Sequence, residues 1–363
     1  MKNKISTLQL FSLCWQVILS VNIGIINYIS LSSINQDGWI AIIISCILGI
    51  IPVILYLYLM NYRPEMNFTQ LNEYLFGKKI GKLINTVITL LIAFCVVLYF
   101  NNLSNFITSQ YLHKTPTLFG IIIFSIPVIY LLNQNLTTIG RTSFILFIFG
   151  IALLALTLIG LIGQVELSNF MPILEHNYND IFKTSITIVP YTSFSVILLL
   201  SIPKKDVIDS EKLNKRVVCA YFTSFIVVFM ASFFVVGVLG NELAKLYQYP
   251  EFHVLKRISI GGFIERVEST LSLRWIFYIF TTLVFGLYFI KQYIKTTFKI
   301  KKEKKLNIIS SVVGIILLIS SNWLFSSNTE SNTMILNVIP IFLYIINLGT
   351  TILMVIKAKT KKN

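Results

Sequence analysis

Two short polar interruptions in otherwise apolar segments are where this chain's chemistry has to be sought. The first lies in the run FSLCWQVILSVNIGIINYISL, which carries Asn22, Ile23, Gly24 and Ile25. The second lies in SITIVPYTSFSVILLLSIP, where Pro190 is followed by Tyr191, Thr192 and Ser193. A helix interrupted by glycine or proline leaves backbone N–H and C=O groups without intrahelical partners. Free amides at a half-helix N-terminus suit a carboxylate, and unwound carbonyls suit an ammonium. Facing breaks of this kind would hold a small zwitterion by peptide dipoles alone. Glycine and proline are also common in membrane helices for close packing, so the pattern leaves both readings open.

Side-chain catalysis has no comparable foothold. His113, His176 and His253 fall one each in three connecting loops, and Cys14, Cys46, Cys95 and Cys219 fall in apolar runs with no CxxC pair. Nothing there has metal-ligand spacing, so no metal, cofactor or enzymatic activity is expected. None of the apolar runs carries Asp, Glu, Lys, Arg or His except at its edges, which also leaves a proton relay or buried-carboxylate pump without a candidate.

The elements that must position these breaks follow from composition. Of 363 residues, 55% are hydrophobic and 12% charged, about half the charge of an ordinary soluble domain. A bilayer core takes about 20 apolar residues per helical crossing. Ten uncharged runs approach that length, at Leu8–Leu31, Trp39–Met60, Leu83–Phe106, Leu118–Leu132, Thr142–Gln164, Ser185–Ile202, Val217–Gly240, Trp275–Ile290, Leu306–Phe325 and Met334–Ile356. They do not alternate, so helices and not a barrel are expected, in a single all-α transmembrane domain over residues 1–363. The first run is too long for a signal peptide and lacks a small-residue cleavage site.

The net charge of +15 is distributed by side. Lys2, Lys4, Arg63, Lys78, Lys79, Lys82, Arg141, Lys204, Lys205, the KIKKEKK run at Lys299–Lys305 and the C-terminal lysines fall in alternate segments with the N-terminus. The loop charge bias therefore places both termini in the cytoplasm and reads the basic run as facing anionic lipid, with no nucleic-acid partner. Lys114, Lys183, Lys245, Lys256, Arg257, Arg266 and Arg274 remain outside.

Ten spans allow a five-plus-five inverted repeat, with repeat one at about 5–165, repeat two at about 184–357 and breaks in helices one and six. Counted from the outer ends, Gly24 is about eight residues deep and Pro190 about six, so at about 1.5 Å per residue the depths agree within about 3 Å. Asn101, Asn102 and Asn105 would line the same cavity or bond between helices near the outer surface. The long outer loop, about 241–272, carries apolar Phe263, Ile264, Val267 and Leu271 at helical spacing, so a short interfacial helix on the outer face is expected. It is either a surface cap or a gate or partner contact.

The leader ISTLQL into a span with NIGIINY, the turn NQDGW, and YP followed by RISIGGFIERVES together resemble the B-subunit membrane permease of spore germinant receptors, in the amino acid, polyamine and organocation transporter superfamily. The likeness covers nearly the whole chain, and its most specific piece runs from Tyr249 and Pro250 to Glu265, Arg266 and Glu268. It implies a ten-helix fold with LeuT-like inverted repeats. It also implies detection of a small germinant, often an amino acid, in the inner membrane of a dormant endospore, with an A subunit and a lipoprotein C subunit as partners. By position, Asn22, Ile23, Gly24, Ile25, Pro190, Tyr191 and Thr192 would contact the ligand, with Tyr99, Phe285 and Tyr288 as pocket walls. Tyr249, Pro250, Glu265, Arg266 and Glu268 would form the gate or partner contact. The fifth span lacks the lysine that some transporters of the superfamily carry, which suits sensing better than ion-coupled uptake; a secondary amino-acid permease is the alternative.

Overall fold

In the computed structural model the chain is almost entirely helical. The structure describes residues 3–161, 163–258, 267–324 and 328–361. Helix α1 (Thr7–Leu19) starts on a capping box, in which Ser6 Oγ accepts from the Gln9 amide at 3.2 Å and Gln9 Oε1 from the Ser6 amide at 3.0 Å. These bonds satisfy two of the amide donors that a helix start leaves free. A wide turn at Asn22–Ile26 separates α1 from α2 (Asn27–Ile34), and a tight turn at Asn35–Asp37 leads into α3 (Gly38–Tyr62). There follow α4 (Phe68–Phe76), α5 (Lys78–Gln110), α6 (Thr117–Leu132), α7 (Leu136–Leu161) and α8 (Tyr178–Ser193). Beyond a 3-10 stretch at Phe194–Ser201 come α9 (Leu213–Leu246), the short α10 (Pro250–Lys256), α11 (Glu268–Thr297) and α12 (Glu303–Ser320). The last segment is α13 (Asn328–Asn337), α14 (Ile339–Phe342) and α15 (Gly349–Thr360), joined by a wide turn at Leu343–Leu348. Two residues near the N-terminus, β1 (Ile5–Ser6), pair in parallel with β2 (Val207–Ile208).

Among the described residues, eight helical runs are long and apolar enough to cross a membrane. The first, Thr7–Tyr62, is 56 residues long, far more than the about 20 a crossing needs, and it turns back at Asn35, whose φ is 50°. Shorter α6 is an apolar helix of 16 residues. Lipid as the outer solvent accounts for the burial pattern: α7 and α12 bury 22% and 28% of their apolar windows, whereas the α8 run and α11 bury 83% and 78%. The centre is thus α1, α8 with its 3-10 extension, and α11, packed against α3, α5 and α9.

Helix bounds depart from the sequence reading at α11. Backbone hydrogen bonding carries this helix outward to Glu268, so Arg274, expected outside, sits in its second turn at 4% exposure. Lys291 is likewise inside α11 and donates to the Leu132 carbonyl at 2.9 Å. The interfacial helix expected over Phe263 to Leu271 is not one as far as it is described: Val267, Glu268 and Leu271 are buried at the start of α11, because their apolar faces pack inward. Phe263, Ile264, Glu265 and Arg266 lie outside the described residues. The short helix of this loop is α10, and it is buried among the spans, not laid on the outer face.

Candidate functional site

The first break forms because Ile23 is extended (φ −80°, ψ 127°) and Gly24 is left-handed (φ 73°, ψ 0°). Left-handed backbone costs a side-chain-bearing residue about 1–2 kcal/mol, so the position is one for glycine. It is also a position without room: a Cβ on Gly24 would stand 2.7 Å from Tyr249 Cε1 and 3.2 Å from Asn102 Oδ1.

The groups freed by this break are already engaged. Asn102 Nδ2 donates to the Ile23 carbonyl at 3.2 Å, and Trp275 Nε1 to the Ser20 carbonyl at 2.8 Å. Tyr249 Oη donates to the Asn102 carbonyl at 3.3 Å. Glu251 enters from α10, and its Oε1 accepts from Asn27 Nδ2 at 2.7 Å, with the Gly24 backbone close to the same carboxylate. Burial pushes the Glu251 carboxyl from 4.5 up to about 7, partly offset by the Asn27 and backbone hydrogen bonds. A bilayer interior offers no water to satisfy these peptide groups, which explains why side chains of α5, α10 and α11 converge here.

The second break has a different character. Pro190 has no N–H to give, α8 stops at Ser193, and the chain tightens into the 3-10 stretch. Tyr191 Oη donates to the Ile335 carbonyl at 2.6 Å, and Thr192 Oγ1 bonds back to Val189 at 3.3 Å. Ser193 Oγ lies 3.4 Å from Tyr221 Oη, which donates to the Cys46 carbonyl. Asn347 Nδ2 donates to the Phe194 carbonyl at 3.3 Å, and Tyr56 Oη to Asn347 Oδ1 at 2.7 Å. A cavity of about 40 Å³ lies beside this break, lined by Cys95, Tyr99, Pro190, Phe194, Gly286 and Asn347 among others.

The sequence-derived site residues therefore fall into two gatherings. Asn22, Ile23, Gly24 and Ile25 form the first break, where Gly24 meets the ring of Tyr249; Pro250 follows as the first residue of α10. Tyr99 and Pro190 share the cavity at the second, with Tyr191 and Thr192 turned to other partners. Phe285 is fully buried and stacks on Tyr288 at 6.1 Å. Tyr288 reaches a separate inner cavity beside Asn133, Lys291 and Glu303. Glu268 is buried in the first turn of α11, away from any outer surface. Glu265 and Arg266 are outside the described residues. Sequence reasoning missed Glu251, Asn27 and Arg274, as well as Gln16, which donates to Ser143 Oγ at 2.8 Å and accepts from Thr281 at 3.1 Å. The one available signal was position: Glu251 directly follows the Tyr249-Pro250 pair singled out by pattern.

Residues 4–328 match the model of a family described as spore germination protein. This chain belongs to that family. It is 20% identical over 320 residues to spore germination protein KB of Bacillus subtilis, covering 86% of this chain and 84% of that one. It is 27% identical over 301 residues to spore germination protein A2 of the same organism, covering 80% and 78%. These are homologues of germinant receptor B subunits, non-enzymatic membrane proteins. Among solved structures, the fold is similar to MhsT in complex with L-phenylalanine (TM-score 0.64, 15% identity, 99% of this chain and 88% of that one). It is also similar to Mhp1, a nucleobase-cation-symport-1 family transporter (TM-score 0.65, 18% identity, 98% and 78%). The spore germination protein is thus an all-helical, multi-pass membrane protein with a LeuT-like transporter fold.

Proposed function

We propose that this spore germination protein is the germinant-sensing membrane subunit of a receptor complex, binding a small amino-acid-like ligand at the interrupted first and sixth helices and signalling to A and C subunits. The observation that carries the reading is the pair of interruptions, Ile23-Gly24 and Pro190-Ser193, both made of buried residues in a transporter-like fold. MhsT, the structural neighbour, is complexed with an amino acid. Ten crossings fit the chain when α1–α2 and α3 are counted as two and α6 as one, arranged as a five-plus-five inverted repeat with both termini cytoplasmic. Asn22 to Ile25, Tyr99, Pro190, Tyr191, Thr192, Phe285 and Tyr288 form or support the ligand region, and Tyr249, Pro250, Glu265, Arg266 and Glu268 belong to the gate or partner contact. The membrane is the inner membrane of the endospore.

A sensor needs different ligand affinity in two conformations and need not move the ligand across. Radiolabelled amino acids should bind the purified protein in detergent yet fail to accumulate in proteoliposomes. Concentrative uptake would instead favour the permease reading, to which the fold lends support.

A further inference from the structure

Behind the first break lies another cavity of about 40 Å³, bounded by α7, α9, α10 and α11. Its walls are largely apolar, including Leu154, Met230, Phe234 and Val254, but Glu251 and Arg274 also line it. Both are 4% exposed. Glu251 uses Oε1 for Asn27 and leaves Oε2 without a hydrogen-bond partner, and Arg274 leaves Nε and Nη1 without one. The two do not pair with each other, and Arg274 makes no ion pair among the described residues. A buried charge without a partner costs several kcal/mol. A cation in this cavity would relieve Glu251 and aggravate Arg274, and an anion would do the reverse. A guest carrying both charges at separate ends relieves both.

We propose that this cavity is a zwitterion site, in which an α-amino acid with a small apolar side chain sets its ammonium on Glu251 Oε2 and its carboxylate on the Nε/Nη1 edge of Arg274. The site is distinct from the cavity beside Pro190 and stands whether or not that one is filled. As described it has room for about three waters, so an amino acid enters only as α10 moves outward. Glu251 is the α10 residue that also holds Asn27, which directly follows the wide turn at Asn22–Ile26, so the same movement pulls on the first break. Occupancy is thereby coupled to the helix interruption through one carboxylate.

The test is a thermal-shift and calorimetric titration of the full-length protein in detergent with glycine, L-alanine and L-valine, against L-alaninamide and propionate, which each lack one charge. Saturable stabilisation by the zwitterions and not by the two analogues is the expected result, and it needs no variant. Glu251→Gln and Arg274→Gln should each weaken binding by about tenfold or more. Arg274→Lys, which keeps the charge and loses the forked edge, should weaken it as well. Binding that survives both glutamine variants overturns the proposal, as does equal stabilisation by alaninamide. No stabilisation by any amino acid, the cavity holding water only, also overturns it. Binding lost in Gly286→Ala, whose Cβ would stand 2.6 Å from Val96 Cγ2 and so reshape the wall of the other cavity, but kept in Glu251→Gln assigns the ligand to the Pro190 site and overturns this one while leaving the proposed function intact.

Discussion

Gly24→Ala is the most informative single change at the first break, because two independent costs meet at one atom. The left-handed backbone, φ 73°, costs alanine about 1–2 kcal/mol relative to glycine. The added Cβ would also lie 2.7 Å from Tyr249 Cε1 and 3.0 Å from Cδ1, where carbon atoms rest at about 3.5–4.0 Å. The ring must therefore retreat by about 1 Å, yet it is held by its bond to the Asn102 carbonyl, by an edge contact with Phe106 at 5.0 Å and by a tilted contact with Trp275 at 6.3 Å. Overpacking of this kind costs about 1–3 kcal/mol, giving a total of about 2–5 kcal/mol. Reversible SDS unfolding in mixed micelles measures it. The steric part separates in a double-mutant cycle with Tyr249→Ala: removing the ring removes the clash, so the pair should be less unstable than the sum by about 1–3 kcal/mol. Additivity within about 0.5 kcal/mol would refute the packing of the outer loop into the break.

Three further outcomes follow from neighbouring groups. Asn102→Leu leaves the Ile23 carbonyl without its side-chain donor, while Tyr249 Oη keeps the backbone carbonyl at position 102, and should cost about 1–3 kcal/mol in the same assay, with Tyr249→Phe costing less. Asp37 is fully buried and accepts from the Leu174 and His176 amides at 2.8 and 3.1 Å, with His176 Nδ1 at 3.2 Å. Asp37→Ala should therefore speed limited proteolysis between α7 and α8 and lower stability by about 2–4 kcal/mol. Because the Glu251 carboxyl is raised from 4.5 to about 7, the folded state holds a proton in that window that the unfolded state has released. Stability should fall as pH rises from 4.5 to 7 and level off above, by about 3 kcal/mol in all. The charged or titratable neighbours are Tyr249 at the start of α10 and Arg274 on α11, with Asn27 on α2 neutral; Glu251→Gln should flatten the profile.

Hydrophobic run length alone delivered the spans, since a bilayer leaves a chain little choice but continuous helices of set length. The breaks were legible for the same reason: Gly24 and Pro190 are residues whose backbone chemistry acts locally. What was not legible is who fills a break. Asn102, Tyr249, Trp275 and Glu251 come from three separate elements, and only the packing of α5, α10 and α11 brings them to Gly24. A scan for charge within apolar runs likewise passed over Arg274 and Glu251. One lies at a helix start that the hydropathy window cut short, and the other on a loop helix too short to register.

The filled first break changes what recognition there would mean. Ile23 C=O has a partner already, so an amino acid reaching it would exchange one hydrogen bond for another of similar strength, not satisfy a bare dipole. The net contribution of such an exchange is small, since only the difference between old and new bonds counts. Its structural consequence is large, because the displaced Asn102 belongs to α5 and its carbonyl holds Tyr249 at the start of α10. Under the proposed sensing function, such an exchange would turn occupancy of the break into movement of α10.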